Sequence, residues 1–334
     1  LNEFAVRLPS ALAGVIMVWL TYLLVKELFP QKPLLAHLAA LVLAISPWHL
    51  QLSRAAFEAT LAACFNLAAI YFFVKAINKT PYALILSAVF FVLTLYTFNS
   101  NRLLTPLLLL ALSLIYFRQL WQIKKPLVVA TLIGLVLSLP LIPYLRSPAS
   151  KLRWHEVNIF SNLDIIKTSN QQIAADGRGR LIKLLHHRYL GHAANFLHHY
   201  FDHFKGKYLF ITGDGNPRFS TQNTGELYLI EILPLLVGFY FLLTHRSSSS
   251  ALILAWFFLG PIPAATARET PHALRSLSML PTHQIIIALG LVYIFNQIKY
   301  KKLFAIGYML LALTAFGRFQ YIYYRYYPWE FAGE

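Results

Sequence analysis

The chain has 334 residues, 57% hydrophobic and 13% charged, with a net charge of +16 and a mean hydropathy of +0.55. A soluble domain carries roughly 25% charged residues, so this composition excludes an ordinary soluble fold. The basic excess is divided between loops and the ends of apolar runs, and a nucleic-acid partner is not expected. The single cysteine, Cys64, lies in an apolar run, so neither an intrachain disulfide nor a zinc-type cysteine cluster can form.

Apolar runs of about 17–25 residues can cross a hydrocarbon core as helices, and they recur along the whole chain. They predict an all-α, polytopic transmembrane bundle with about ten spans. In chain order the runs are 8–29, 34–50, 55–77, 81–98, 102–117, 126–145, 227–244, 251–267, 273–296 and 303–321. Prolines within them (Pro47, Pro140, Pro234, Pro261 and Pro263) predict kinks. Alternate connections carry Lys26 and Lys32, then Lys75 and Lys79, then Arg118, Lys124 and Lys125, then Arg246, then Lys299, Lys301 and Lys302. By the positive-inside rule these loops face the cytoplasm, and 51–54, 99–101, 146–226 and 268–272 face out. The chain therefore divides into 1–145 with about six spans, an extracytoplasmic segment 146–226, and 227–334 with about four spans and the start of an outer tail.

The insertion 146–226 predicts a helix near 162–176, capped by Ser161, and a second helical pattern over 180–204. In the second, Leu181, Leu184, Leu185, Phe196, Leu197, Tyr200 and Phe204 recur at helical spacing among polar and basic residues, the pattern of a helix lying in the membrane interface. Its histidines, His186, His187, His192, His198, His199 and His203, read as a hydrated interfacial face. His199 and His203 are spaced i, i+4 and could hold a metal, without an evident set of further ligands. Gly213, Gly215 and Pro217 mark a turn region. Gly177-Arg178-Gly179 is an isolated glycine turn and not a nucleotide loop.

Five arginines stand at outer mouths, where Lys and Arg are normally avoided: Arg7, Arg54, Arg102, Arg268 and Arg275. Pro271 suits a first helical turn. On that reading Arg268, His272 and Arg275 fall at i, i+4 and i+7 on one helix face, an anion site for a specific phosphate. The alternative is snorkelling to ordinary lipid headgroups. Arg54 and Glu58 are i, i+4 at the start of a span, with Glu58 just inside the apolar run. They read either as a self-neutralising pair or as a group that positions an acceptor. Tyr96, Asn99, Ser100, Asn101 and Arg102 form another outer mouth, a capped turn or a substrate contact. Arg7, with Pro9 and Ser10, reads as a helix start.

These motifs occur in an order that resembles the GT-C membrane glycosyltransferases, which include the protein O-mannosyltransferases and the lipid A aminoarabinose transferase. Asn2-Glu-Phe-Ala-Val-Arg-Leu-Pro-Ser-Ala-Leu-Ala-Gly14 resembles their second-span entry. Ser46-Pro-Trp-His-Leu-Gln-Leu-Ser-Arg-Ala-Ala-Phe-Glu58 resembles their second outer loop. Gly213-Asp-Gly-Asn-Pro-Arg-Phe-Ser220, Gly225-Glu-Leu-Tyr228 and His272-Ala-Leu-Arg-Ser-Leu277 resemble later outer motifs of a bacterial branch.

The resemblance implies a polyprenyl-phosphate-linked sugar as donor. Its acceptor would be a protein, lipid or glycan on the outer face of a membrane, the bacterial plasma membrane in that branch. It aligns Glu58 with the second acidic position, and Arg275, His272 and Arg268 with the donor phosphate. Arg54, Tyr96, Asn101, Arg102, Asp214, Glu226 and Tyr228 become substrate-side residues. No cofactor is assured, although a divalent metal is compatible. Family members carry the catalytic Asp in an outer loop after a first span. The resemblance begins downstream of that loop, so the main catalytic Asp is expected upstream of Leu1. On this expectation the chain is an N-terminally shortened piece, inactive alone. A polytopic transporter or lipid flippase is the competing class; paired broken helices near the midplane would favour it.

Overall fold

The computed structural model describes residues 2–161, 163–177 and 179–331. Leu1, ahead of which the catalytic Asp is expected, lies outside the described residues, so the structure does not bear on that expectation. Helices occur in the order α1 Glu3–Leu28, α2 Pro33–Ile45, α3 Pro47–Arg54, α4 Glu58–Asn78, α5 Ala83–Thr97, α6 Asn101–Ile115, α7 Phe117–Gln122, α8 Lys124–Ser138, α9 Leu141–Arg146 and α10 Pro148–Val157. Then come α11 Leu163–Ala175, α12 Arg180–Leu185, α13 Arg188–Asp202, α14 Ile232–Thr244, α15 Ser248–Leu259, α16 Ile262–Ala265, α17 Ala273–Ser276, α18 Thr282–Gln297, α19 Lys301–Tyr321 and α20 Tyr327–Glu330. Among the described residues there is no strand, only an isolated antiparallel bridge between Asn158 and Ala267.

Each apolar run becomes a helix or a broken helix. Four helices are long and apolar enough to cross a membrane alone: Glu3–Leu28, Glu58–Asn78, Ser248–Ala265 and Lys301–Glu330. Two pairs, Pro33–Ile45 with Pro47–Arg54 and Ala273–Met279 with Thr282–Gln297, qualify together but bend by 56°. The other expected spans are shorter apolar helices, and 126–145 is divided between α8 and α9 at Leu139–Pro140. Pro47 sits at a break as expected. Pro234 does not kink its helix, because it occupies the first turn of α14, where a missing N–H costs nothing. The second sharp break falls at Pro281 instead.

The start of α1 also differs from expectation. It begins at Glu3, where Asn2 accepts the Ala5 N–H at 2.8 Å, and Pro9 lies inside the helix. Asn101 does not cap α6. Ser100 holds the cap position without a side-chain bond, and Asn101 is turned into the core.

The bundle core contains Met17, Leu24, Leu35, Leu67, Ile70, Leu108, Trp256 and Ile286. Lipid cannot satisfy backbone groups freed at a helix break, so protein must. The Ser278 carbonyl, beside the Pro281 break, accepts Trp256 Nε1–H at 2.7 Å and Asn66 Nδ2–H at 3.3 Å. The Ile45 carbonyl, at the Pro47 break, accepts the Tyr228 hydroxyl at 2.7 Å. Gln284 Nε2 donates to Ser46 Oγ at 3.3 Å, joining the two breaks.

The helix ends sort as the charge pattern predicts. Lys79 pairs with Glu27 at 2.8 Å, Lys32 lies over the Phe241 ring at 4.4 Å, and Ser249 donates to the Leu28 carbonyl at 3.0 Å. These lysine-bearing loops share one end. At the other end Trp48 donates its N–H to the Glu226 carbonyl at 3.3 Å and its Nε1–H to the Ala273 carbonyl at 3.1 Å. There Arg268 reaches the His155 carbonyl at 3.3 Å.

In the insertion, the predicted helix near 162–176 is observed as α11; Asn162 lies outside the described residues, and so does Arg178 of the Gly177-Arg178-Gly179 turn. The pattern over 180–204 is two helices, α12 and α13, separated at His186–His187.

Candidate active site at the arginine-bearing end

The strap 266–272 organises this end of the bundle. Its first residues run against the end of α10. Ile159 N–H donates to the Thr266 carbonyl at 2.9 Å and Arg268 N–H to the Val157 carbonyl at 3.0 Å. Arg268 also spends its guanidinium on the Asn158 and His155 carbonyls. The strap is not helical; helix begins only at Ala273, after a cis Thr270–Pro271 bond. The expected stripe of Arg268, His272 and Arg275 on one helix face is therefore absent. Its first member braces the insertion, and the three diverge.

His272 is buried and turned toward Asp214. Its Nδ1 lies 3.6 Å from the Asp214 carboxylate and its ring packs 4.8 Å from Phe219. Asp214 is held by backbone. Its Oδ2 accepts Ala273 N–H at 2.6 Å, its Oδ1 accepts Asn216 N–H at 2.8 Å, and its own N–H donates to Glu226 at 3.0 Å. Gly213 precedes it at φ +73°, in the left-handed region that favours glycine. A side chain there would also meet Ser220 at 2.7 Å and Glu226 at 3.0 Å. Burial lifts the Asp214 carboxyl to about 6 and raises that of Glu226 well above the usual range.

The expected hydrated histidine face forms only in part: His198 is exposed and His186 and His187 are half-buried. His192, His199 and His203 are buried against the protein. The His199–His203 metal pair fails as well, because both rings are engaged by backbone: His199 Nδ1 meets the Ala267 carbonyl at 2.8 Å and His203 Nδ1 the His199 carbonyl at 2.9 Å. His203 Nε2 accepts the His272 N–H at 3.2 Å. That acceptor role requires the neutral tautomer with hydrogen on Nδ1. Desolvation pushes His203 down to about 4. Desolvation, followed by the nearby Arg275, lowers His272 to about 3. The stability tied to these neutral rings is fully present above the ordinary value of 6.5 and is lost as pH falls toward about 4 and about 3. Histidine-selective 15N NMR at pH 5 should show two neutral rings that disappear in His203→Gln and His272→Gln; two imidazolium signals would refute the arrangement.

The Arg54–Glu58 helical pair is another expectation the structure corrects. α3 ends at Arg54 and α4 starts at Glu58, with extended backbone between them. Arg54 turns to the last helix, donating to the Tyr324 hydroxyl at 2.6 Å and lying 4.6 Å from the Tyr323 ring centre and 4.7 Å from that of Tyr324. Glu58 is exposed at the first position of α4, not inside the apolar run. Phe57 beside it packs 5.5 Å from Phe219, linking this mouth to the His272–Asp214 contact. Tyr327 adds a hydroxyl bond to the Pro217 carbonyl at 2.7 Å, so the end of the last apolar helix rests on the glycine-rich turn.

On the other side of this end, Arg102 and Arg275 line one cavity of about 360 Å³. Asn99, Ser100, Tyr144, Ser150 and Thr266 add polar edges; Phe98, Leu103 and Val157 add apolar wall. Arg102 is fixed by its Nε–H to the Leu95 carbonyl at 3.0 Å and lies 4.7 Å from the Tyr144 ring centre. Asn101, in contrast, is buried and accepts the Ser278 hydroxyl at 2.8 Å, while Tyr96 donates to the Leu137 carbonyl at 2.8 Å. Tyr228 is occupied with Ile45 and Glu231. Sequence reasoning missed Tyr144, Ser150 and Thr266 as cavity residues. They are ordinary residues at run ends and become neighbours only when α9, α10 and α16 meet.

Comparison with known proteins places this architecture. Residues 1–144 match the family model described as dolichyl-phosphate-mannose-protein mannosyltransferase. The Archaeoglobus fulgidus oligosaccharyltransferase, in its complex with Zn and sulfate, superimposes with a TM-score of 0.58 at 16% identity. The chain shares the fold of that enzyme's membrane part. That alignment covers 94% of this chain and 40% of the archaeal one. Archaeal oligosaccharyltransferase AglB from Archaeoglobus fulgidus, in complex with an inhibitory peptide and a dolichol-phosphate, gives a TM-score of 0.56 at 16% identity, covering 95% and 44%. The chain thus spans less than half the length of these enzymes. No curated protein sequence matches it. It is an integral membrane protein.

Proposed function

We propose that this chain is the membrane part of a GT-C glycosyltransferase. It would move a sugar from a polyprenyl-phosphate donor to an acceptor at the arginine-bearing end of the bundle. A protein acceptor is favoured over a lipid or glycan, by the mannosyltransferase family model and by the archaeal oligosaccharyltransferases. We further assign that end to the extracytoplasmic side, from the lysine distribution, and the membrane to a bacterial plasma membrane, from the resemblance of the later outer motifs to a bacterial branch. The divisions 1–145, 146–226 and 227–334 are kept as parts of this reading.

The observation that carries it is the cavity shared by Arg102 and Arg275. Two guanidiniums at the mouth of an amphiphilic cavity suit a phosphate whose tail runs along lipid. Donor cleavage leaves negative charge on that phosphate, and fixed cations stabilise charge where it develops. His272, neutral and buried at the end of the strap, would set the position of Arg275. Arg268 would act through the strap. Arg54 and Glu58, with Asp214, Glu226 and Tyr228 behind them, would form the acceptor-side mouth. Glu58 is the exposed carboxylate available to an acceptor hydroxyl. The main catalytic Asp, expected upstream of Leu1, would be contributed by the complete enzyme. Tyr96 and Asn101 would hold α6 and its neighbours in place.

The archaeal oligosaccharyltransferase was crystallised with Zn, and a divalent metal in the complete enzyme is part of this reading. Among the described residues no three His, Cys, Asp or Glu side chains are grouped to hold one, so no step is assigned through a metal here.

Arg275→Ala should weaken binding of a radiolabelled polyprenyl-phosphate sugar to this chain in nanodiscs by roughly 10- to 100-fold, the loss of one or two charge-assisted bonds. Unchanged binding would remove the phosphate assignment. One observation favours a transporter instead: two bent helix pairs meet through Ser46 and Gln284. Uptake of the lipid-linked sugar across sealed vesicles, without transfer, would select that class.

A further inference from the structure

Helix α13 has the polarity of a water-facing helix reversed. Its protein-facing stripe is polar: His192, His199 and Asp202, continued by His203 just past its end, are all buried. The opposite stripe is Leu190, Ala194, Leu197 and Phe201, successive positions of one helix side. Leu190, Leu197 and Phe201 are 52%, 50% and 60% exposed. Water would be a poor neighbour for this stripe, and the hydrocarbon edge of a bilayer a good one.

Depth supports the same occupant. The Tyr200 hydroxyl donates to the Phe258 carbonyl at 2.8 Å, and the Phe204 ring packs 5.3 Å from Phe257. Phe258 lies well inside the apolar helix Ser248–Ala265. A rise of about 1.5 Å per residue puts it about 10 Å below the Ala265 end. The C-terminal half of α13 is therefore attached at the level of a span, beside the half-exposed Phe258. Around it Arg180, Lys183, Arg188 and Lys207 are exposed, suited to anionic headgroups above the hydrocarbon.

We infer that α13 lies submerged in the leaflet on this side of the membrane, its Leu190–Leu197–Phe201 stripe in the acyl boundary and the neighbouring cations among anionic lipid headgroups. The bilayer covers this face, and neither water nor a second protein does. The inference does not depend on the transferase reading.

Nitroxide labels at Leu197→Cys, Phe201→Cys and Lys207→Cys test it, each in a Cys64→Ala background and reconstituted in vesicles containing phosphatidylglycerol. Dissolved oxygen reaches hydrocarbon, whereas a hydrated nickel chelate is excluded. An entry cost of even about 1.4 kcal/mol depletes the chelate about tenfold. At 197 and 201 the nickel collision rate should be roughly tenfold below that at 207, with oxygen collisions higher. Nickel rates at 197 and 201 equal to that at 207 would overturn the inference. So would oxygen and nickel rates that are both low at these two sites, the signature of a protein partner.

Discussion

Gly290→Ala is expected to destabilise the bundle by about 3 kcal/mol, and Gly290→Leu to prevent its assembly. α14 and α18 pack backbone to backbone through a reciprocal pair of glycines. A Cβ on Gly290 would fall on the Pro234 carbonyl oxygen and 2.9 Å from the Gly238 nitrogen. A Cβ on Gly238 would fall on the Ile286 carbonyl oxygen and 2.8 Å from its carbon. Small residues allow such close approach in membrane bundles, where packing drives association. Overpacking usually costs about 1–3 kcal/mol because neighbouring side chains can yield; here the neighbours are helix backbone, so the upper end applies. The consequence reaches the site, since α18 follows α17, which carries Arg275, across the Pro281 break. A methyl group added to Gly307 or Gly317 on α19 would meet nothing within 4 Å, and alanine there should be neutral or slightly stabilising. Thermal unfolding in detergent, followed by size-exclusion chromatography, separates the cases. A Gly290→Ala midpoint equal to that of Gly307→Ala would refute the packing argument.

The positions of the apolar elements were legible because span length and charge asymmetry are properties of contiguous residues. Lys79 meeting Glu27, and Trp48 meeting Glu226 and Ala273 at the opposite end, follow the alternation of basic loops. The GT-C resemblance was likewise carried by motifs that are local in sequence. What failed depended on backbone breaks. Helical spacing does not hold through Thr270–Pro271 or through Ala55–Phe57, where the chain is not helical, so neither the His272 stripe nor the Arg54–Glu58 pair forms. Proline signals a break but not its place: Pro234 is accommodated in a first turn while Pro281 ends a segment. The burial of His192, His199 and His203 is not legible locally, because polarity alone does not reveal which side of a helix faces the protein. His203 bonded between His199 and His272 is a tertiary fact with no local signature.

Asp214→Ala should release the glycine-rich turn from the start of α17 and abolish turnover in an enzyme that contains the chain. Both carboxylate oxygens accept backbone N–H groups, from Ala273 and Asn216, and the residue is 4% exposed. Removing the acceptor strands these donors where water has little access, at about 1–3 kcal/mol for each buried group left unsatisfied. The loss is local, because α14 to α18 keep their own contacts. Hydrogen exchange across 206–226 should therefore accelerate while the spans stay protected. Unchanged exchange there would show that Asp214 does not clamp the turn. Asp214→Asn refines the test. Burial raises the folded carboxyl to about 6 from 3.8, so the folded state retains a proton that the unfolded chain has released. The stabilising contribution of Asp214 is full below 3.8 and declines as pH rises through about 6. A neutral amide lacks this dependence. The cost of Asp214→Asn should thus be largest near pH 4 and smaller above pH 6, relative to the unsubstituted protein. A cost that grew with pH over that window would mean that the carboxylate, not the acid, is the form the fold prefers.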